Sequence, residues 1–248
     1  MHGFANPKRF LTIARPLTPA LLVLGSLLLF SSLAYGLFAA PAERLQGETV
    51  RILFVHVPTA WLGMAGWSVI AMASIAEIVW RHPLAAIAGR AAAVPGAMFT
   101  AICLATGSLW GRPAWGTWWE WDGRLTSMLV LLFLYFGYIA LAGATAREGV
   151  SSRISAIFGI VGVINVPVIH YSVLWWYSIH QPPSLSMGKS AMAPEFLWPL
   201  LVATLGFSFI FSAVVLMRMR ALLADAQAEA RLRRKALDSD RGPAQGDW

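Results

Sequence analysis

The sequence predicts an all-α polytopic membrane protein, a bundle of six transmembrane helices with a tryptophan-rich interfacial loop and with both termini in the cytoplasm. Of the 248 residues, 58% are hydrophobic and only 12% are charged, and the mean hydropathy is +0.63. This composition is typical of integral membrane proteins. Apolar runs of about 20 residues, long enough to cross hydrocarbon, recur along the chain. The runs lack the alternation of barrel strands, so each is predicted to be a helix whose backbone groups are paired within the segment.

The six runs lie near residues 17–39, 56–80, 91–109, 127–146, 154–175 and 196–217. The first run follows Lys8 and Arg9, and basic residues also precede the apolar core of a cleaved signal peptide. The run is longer than the usual signal core of about 7 to 15 residues, so it is predicted to be retained as a helix. The second begins around Pro58, a good first-turn residue. The third contains the single cysteine, Cys103, as a small packing residue.

The fourth run follows Asp122, which is placed to cap its first turn. The fifth contains Pro167, and the sixth passes into a polar tail. The tail is predicted to be helical from Met217 to about Lys235 and disordered from Asp238 onward. No internal repeat or Gly/Ser linker divides the chain, so we expect one transmembrane domain, 1–220, and a cytoplasmic tail, 221–248.

The basic residues predict the orientation. With the termini and the second and fourth loops in the cytoplasm, fourteen of the 19 Lys and Arg residues lie on that face, as the positive-inside rule requires. The opposite face has Arg44, Arg51, Arg112, Arg124 and Lys189. Membrane anchoring thus accounts for most of the net charge of +7, and no nucleic-acid partner is expected because acidic residues are mixed among the arginines of the tail.

Residues 110–127, WGRPAWGTWWEWDGRLTS, form the most unusual segment. Five of twelve consecutive positions are tryptophan: Trp110, Trp115, Trp118, Trp119 and Trp121. The segment also carries four charged residues, and each charge costs about 2.5–3.5 kcal/mol at the centre of a bilayer. It is therefore predicted to be an outer-face loop lying along the interface. An aromatic belt accounts for isolated tryptophans, whereas this density favours a flat aromatic surface for a large planar ligand.

Histidines complete this candidate site. His56 and His180 are predicted to flank the tryptophan loop from separate helices, whereas His2 and His82 lie on the cytoplasmic side. Two imidazoles and apolar ring faces are what an iron porphyrin binds, and two ordinary interfacial histidines are the alternative. His170 precedes His180 by about 15 Å of continuous helix, so it is assigned to packing or to orienting a neighbour. Zinc is less favoured because no cysteine lies on this face.

Porphyrin propionates need cationic partners, and Arg51 and Arg124 are the candidates on the outer face. Snorkelling toward lipid headgroups is the alternative for both. Beyond capping a helix, Asp122 is a candidate to hold the tryptophan loop or to orient an arginine. The chain contains no evident nucleotide-binding loop and no evident nucleophile and base pair, so it is not expected to be an enzyme.

Three segments resemble the CcmC family, the heme-handling membrane proteins of the system I cytochrome c maturation pathway. They are FVHVPTAW at 54–61, TGSLWGRPAWGTWWEWDGRLTS at 106–127 and NVPVIHYSVLWWYSIHQ at 165–181, and the resemblance covers essentially all six spans. The tryptophan motif, called WWD, is shared with a wider superfamily that includes CcmF and the system II synthetase subunit. The continuation from Gly123 to Ser127 and the short chain favour CcmC.

The resemblance implies that His56 and His180 are the axial ligands of heme iron. It implies a heme platform formed by Trp110, Trp115, Trp118, Trp119, Trp121 and Asp122. Heme b, carried transiently as cargo, would be held at the periplasmic face of the bacterial inner membrane and presented to the heme chaperone CcmE. The ABC transporter subunits CcmA and CcmB and the small membrane protein CcmD would complete the assembly, with ATP hydrolysis in a partner.

Two functions of other classes stay open at this point. A b-type electron-transfer membrane cytochrome would also use two histidines, usually facing each other within the bundle. A permease for an amphipathic solute predicts inverted repeats or interrupted helices near the midplane, with polar groups there. The sequence shows only scattered glycines and Pro167 in that respect.

Overall fold

The computed structural model describes residues 6–148, 152–176, 178–180, 185–186, 189–190 and 192–240. In these ranges the helices are α1 (Pro7–Phe38), α2 (Leu53–Trp80), α3 (Ala85–Trp115), α4 (Gly123–Glu148), α5 (Arg153–Gly162), α6 (Asn165–Trp175) and α7 (Pro194–Asp240). Two short strands, β1 (Leu185–Ser186) and β2 (Lys189–Ser190), pair antiparallel. Six segments are long and apolar enough to cross a membrane, which confirms the predicted all-α architecture of six spans.

The second helix begins earlier than predicted. A 3-10 helix, Glu48–Ile52, leads directly into α2 at Leu53. Pro58 therefore lies inside α2 and not in its first turn, and His56 lies one turn into the helix. This placement directs His56 against a neighbouring helix and not at the mouth of its own.

The third helix ends later than predicted. It continues to Trp115, so Trp110 and Trp115 belong to α3 and only residues 116–122 form a loop. Gly116 ends the helix with a φ of 79°, and its N–H donates to the carbonyl of Arg112 at 3.0 Å. A left-handed residue at this position closes a helix, and glycine adopts it without a steric cost.

The fifth span is interrupted between α5 and α6, which was not predicted. The N–H groups of Val163 and Ile164 donate to carbonyls three residues earlier, those of Ile160 and Val161, at 3.3 and 3.2 Å. Pro167 explains the break, because it has no N–H to donate to the carbonyl of Val163. Both residues of the break keep right-handed dihedrals, with φ of −65° and −58°, so the interruption lasts two residues.

The fifth span ends near residue 175, as predicted, so the distance of about 15 Å that a continuous helix would place between His170 and His180 does not apply. α6 ends at Trp175, where the N–H of Trp176 donates to the carbonyl of Ser172 at 2.9 Å. His180 lies beyond this end, in the segment 178–180. The distance between the two histidines therefore cannot be calculated from the rise of a helix.

The main core lies between α2, α3 and α4, with Ile169 of α6 and Phe211 of α7 added to it, and small residues face large aromatic ones there. Trp67 is fully buried, and its Nε1 donates to the carbonyl of Gly159 at 3.1 Å. Tyr135 is equally buried and donates its hydroxyl to the carbonyl of Gly63 at 2.7 Å. A methyl group at Gly96 would lie 2.2 Å from Tyr135 Oη. Small residues of this kind let membrane helices approach closely where lipid provides no hydrophobic drive.

The first helix packs antiparallel against the last. Ser32 Oγ of α1 donates to the carbonyl of Pro199 of α7 at 2.7 Å. A Cβ atom at Gly25 would lie 2.9 Å from the carbonyl oxygen of Gly206. Only 17% of the apolar window of α1 is buried within the chain, so the rest of this helix presents a surface suited to lipid.

The last helix runs for 47 residues without interruption, so the predicted boundary at 220 falls inside it. Residues 224–237 are exposed along its length. The polar helix thus continues beyond Lys235, and Asp238, where disorder was expected to begin, is still helical. Residues 241–248, like His2, lie outside the described residues.

We expect Gly96→Ala to destabilise the bundle by about 1–3 kcal/mol, the usual cost of overpacking, because the new methyl group displaces the Tyr135 hydroxyl. The measurement is the thermal unfolding midpoint of the protein in detergent. Gly143→Ala of α4 is the matched control, since a Cβ atom there meets nothing within 4 Å and both substitutions raise helix propensity equally. Equal midpoints for the two variants would contradict the close packing of Gly96 against Tyr135.

Candidate functional site

The predicted site residues lie at one end of the bundle. The first turns of α2 and α4 meet the last turns of α3 and α6 there, together with the loop 116–122 and the segment 178–180. His56, His180 and Arg124 are near enough for their charges to interact. The structure therefore brings the two candidate ligands to the same end of the molecule.

His56 is held between α2 and α3. Its Nδ1 lies 3.1 Å from the carbonyl oxygen of Cys103 and 3.1 Å from Thr106 Oγ1. A carbonyl oxygen only accepts hydrogen bonds, so Nδ1 must carry the proton, and Nε2 then has a free lone pair. Gly107 makes room for this ring, because a methyl group there would lie 3.0 Å from His56 Cε1.

His180 is held by a carboxylate. Its Nδ1 donates to Asp122 Oδ2 at 2.7 Å, and its backbone N–H donates to Ser178 Oγ at 3.1 Å. The imidazole is 17% exposed, whereas the Asp122 side chain is only 3% exposed. As in His56, the proton on Nδ1 leaves Nε2 as the coordinating atom. The neutral imidazole oriented through its other nitrogen is the usual form of a metal-binding histidine.

Asp122 has two functions in this structure. Its Oδ1 accepts the N–H of Leu125 at 2.8 Å and so caps α4, as predicted, while its Oδ2 accepts from His180 and from the Ser178 hydroxyl. Burial raises the pKa of Asp122, but the hydrogen bonds from His180, Ser178 and Leu125 outweigh it and bring the pKa to about 2. The carboxylate is therefore charged at neutral pH.

The tryptophans surround the histidines but do not form one flat surface. Trp110 contacts His56 edge-on with ring centroids 5.6 Å apart, and Trp115 contacts His180 at 4.8 Å. Trp119 and Trp121 also meet edge to face, at an interplanar angle of 74°. A planar ligand would thus meet indole edges as well as faces.

The five indoles differ in exposure. Trp118 is 55% exposed and Trp121 74% exposed, so both lie on the outer surface of the loop. Trp119 is half-buried, and its Nε1 is inaccessible and without an acceptor in the part of the chain that the structure describes. A buried donor of this kind costs free energy unless a partner arrives. Trp119 Nε1 is therefore a candidate donor to a ligand that displaces its surroundings.

Gln46 connects the preceding loop to the site. Its Oε1 accepts from Trp110 Nε1 at 3.0 Å. The loop is tightened by Glu43, whose Oε2 accepts the N–H groups of Leu45 and Gln46, each at 2.8 Å. The hydrogen bond from Gln46, followed by that from Leu45, lowers the pKa of Glu43. The chain between α1 and α2 thereby fixes one wall of the site.

The two candidate arginines are not equivalent. Arg51 forms an ion pair with Glu48 and donates through Nη1 to the carbonyls of Gly36 and Leu37 at the end of α1. It therefore closes the end of a helix. Arg124 donates through Nη2 to the carbonyl of His170 at 3.4 Å, and its charge interacts with Asp122 and with His56.

His170 itself is exposed, and its ring contacts Tyr171 with centroids 4.7 Å apart. Among the hydrogen bonds of the described residues, His170 reaches the site through its backbone carbonyl, which accepts from Arg124. His82 lies at the opposite end of the bundle, in the short connection between α2 and α3. Neither imidazole takes part in the site described above.

Sequence reasoning missed several supporting residues. Ser178 and Gly107 gave no signal, because a serine in a loop and a glycine in an apolar helix are common. Trp176 packs over the start of α4, where a Cβ atom at Gly123 would lie 3.2 Å from its ring. The adjacent pair Trp175 and Trp176, part of the third resembling segment, was the available signal.

The family model of CcmC, described as heme exporter protein C, matches residues 1–234, which include every site residue named above. The chain belongs to the CcmC family. The resemblance predicted from the three segments is thereby confirmed.

Relatives in the CcmC family match over most of the chain. The Bradyrhizobium diazoefficiens heme exporter protein C is 48% identical over 217 residues, which are 87% of this chain and 82% of that protein. The Escherichia coli K12 heme exporter protein C is 42% identical over 223 residues, 90% of each chain. The Haemophilus influenzae protein of the same name is 38% identical over 221 residues, 89% of this chain and 90% of that protein.

We expect Gly107→Ala to lower the affinity of the site for an axially bound metalloporphyrin by about tenfold, or ~1.4 kcal/mol, because the methyl group presses on the His56 ring. The measurement is a titration of the purified protein with hemin, followed by its absorption spectrum. Gly143→Ala, whose Cβ atom meets nothing within 4 Å, should leave the affinity unchanged. A similar loss in both variants would contradict the role assigned to Gly107.

Proposed function

We propose that this member of the CcmC family binds heme at the periplasmic face of the bacterial inner membrane and presents it to the heme chaperone CcmE for cytochrome c maturation. The name of its relatives, heme exporter protein C, supports the ligand class. The cargo is heme b, held transiently. The chain is a delivery subunit and not an enzyme, and ATP hydrolysis belongs to the ABC transporter subunits CcmA and CcmB, which assemble with it and with CcmD.

One observation carries this proposal: each of the two histidines uses Nδ1 for a protein acceptor, and within the described residues neither has a partner on Nε2. His56 donates to the carbonyl of Cys103, and His180 donates to Asp122. Iron in a bis-histidine heme takes one imidazole nitrogen above and one below the ring. Two preoriented imidazoles at one end of the bundle, with an indole beside each, support this mode of binding.

The propionates of heme would find donors in the same place. Arg124 has five N–H donors in a fork that suits carboxylates, and it is near enough to His56 for its charge to act there. The inaccessible Nε1 of Trp119 is a second donor. Arg51 is a weaker candidate, because Glu48 and the last carbonyls of α1 already occupy its guanidinium.

The location of the site suits delivery. Its two candidate ligands come from the start of α2 and from the segment after the end of α6, and not from the middle of the bundle. A site built on such segments can open sideways toward a partner. The distribution of arginines and lysines supports the periplasmic side for this end.

The two alternative functions receive less support. A b-type cytochrome would hold its histidines within the bundle, whereas His180 lies beyond the end of α6. A permease would need polar groups at an interrupted helix, but the break at Val163 and Ile164 is apolar, and Ile164 is 64% exposed. A redox titration with quinone, and heme analysis of the purified protein, separate these functions from heme delivery.

We expect His56→Ala and His180→Ala each to abolish the bis-imidazole absorption spectrum of the heme-loaded protein, because each substitution removes one axial nitrogen. Heme affinity should fall by at least about tenfold, ~1.4 kcal/mol. His170→Ala is the matched control and should keep the spectrum, since its ring lies outside the site. Unchanged spectra in both ligand variants would exclude these residues as ligands.

We expect Trp115→Ala combined with Trp119→Ala to lower the loading of CcmE with heme while membrane insertion stays intact. The double variant loses the Trp115 ring beside His180 and the buried donor Trp119 Nε1. The measurement is the covalent heme content of CcmE after coexpression. Trp80→Ala with Trp198→Ala, two exposed tryptophans far from the loop in sequence, is the control, and normal loading by the Trp115 and Trp119 variant would refute the role of the indoles.

A further inference from the structure

We infer that Asp122 is a positioning residue that makes His180 the stronger of the two axial ligands, so that His56 leaves the iron first when heme is handed over. The inference rests on the proposed function and adds an order to it. It follows from a difference between the hydrogen-bond acceptors behind the two imidazoles.

The acceptor behind His180 is an anion, and the acceptors behind His56 are neutral. His180 Nδ1 donates to Asp122 Oδ2 at 2.7 Å, whereas His56 Nδ1 lies 3.1 Å from both the Cys103 carbonyl and Thr106 Oγ1. Hydrogen bonds to charged acceptors are shorter and about twice as strong as neutral ones. A carboxylate behind a histidine also raises its basicity as a ligand.

The carboxylate is rigidly placed. The Leu125 N–H and the Ser178 hydroxyl both donate to Asp122, and its side chain is 3% exposed. It also lies at the N-terminus of α4, where the helix dipole stabilises a negative charge. The charge behind His180 is therefore a fixed part of the site.

Handover requires one axial bond to break, because iron with two imidazoles has no open position. The His56 Nε2–iron bond breaks with its electron pair returning to nitrogen, and a lone pair of the incoming ligand forms the new bond, so the oxidation state of iron does not change. An acceptor then approaches on the side of α2 and α3, where Trp110 and Gln46 form the wall. His180 holds the heme until this exchange is complete.

Cyanide added to the heme-loaded, purified protein tests the order, since it replaces the weaker histidine and leaves the stronger one opposite to it. The iron–carbon stretching frequency of the cyanide adduct then reports on the retained histidine. Asp122→Asn should shift this frequency, and Thr106→Val, which removes one acceptor behind His56, should not. A shift with Thr106→Val, or no shift with Asp122→Asn, would overturn the inference.

A second readout is the ratio of the protein's affinity for ferric heme to its affinity for ferrous heme. A purely structural role of Asp122 would not change this ratio. We expect Asp122→Asn to lower this ratio about tenfold, which is a rise of ~59 mV in reduction potential, and Thr106→Val to change it less than about twofold. Asparagine caps helices as well as aspartate does. If Asp122→Asn does not yield folded protein, Ser178→Ala keeps the charge, loosens its placement and should shift the adduct frequency in the same direction.

The experiments distinguish a failure of the proposed function from a failure of the inferred ligand order. Unchanged bis-imidazole spectra in His56→Ala and His180→Ala would refute the proposed function and this inference together. Loss of those spectra combined with a cyanide adduct that responds to Thr106→Val would leave the ligands in place and refute only their order.

Discussion

The contact between Asp122 and His180 joins parts of the chain that are 58 residues apart. The same carboxylate caps α4 and so ties the loop after α3 to the segment after α6. The segment 178–180 has no helix of its own, so this carboxylate orients the imidazole ring of His180 together with the Ser178 hydroxyl and the Trp115 ring. The arrangement of the candidate heme site thus depends on one ionised side chain that is almost completely buried.

The rest of the bundle forms a rigid support for that contact. Trp67 and Tyr135 are buried against glycines, and each satisfies its polar atom with a backbone carbonyl. Glycine also has a role at the site, where Gly107 lets the His56 ring approach α3. Close helix contacts therefore serve two purposes, stability in the middle of the bundle and placement of a ligand at its end.

The six spans could be predicted from sequence because hydrocarbon imposes a length and a composition on each of them. Gly116 ends α3 and Pro167 breaks the fifth span through their own backbone properties, so both features could have been predicted from sequence. They were missed because the apolar pattern around each residue continues without interruption. The pairing of Asp122 with His180 could not be predicted, since either residue has several acceptable partners and only the folded chain selects one. The expected flat aromatic surface failed for a related reason: edge-to-face contacts between indoles depend on packing and not on their spacing in sequence.

The length of α7 has a mechanical consequence. A helix of 47 residues is about 70 Å long, more than twice the thickness of a hydrocarbon layer of about 30 Å. Its exposed part, 224–237, is thus a lever attached to a span that packs against α1. A change of about 10° in the tilt of that span would move the far tip by roughly 4 Å relative to the base of this part, since 14 residues of helix are about 21 Å long. Small rotations within the membrane are thereby magnified at the water-exposed tip.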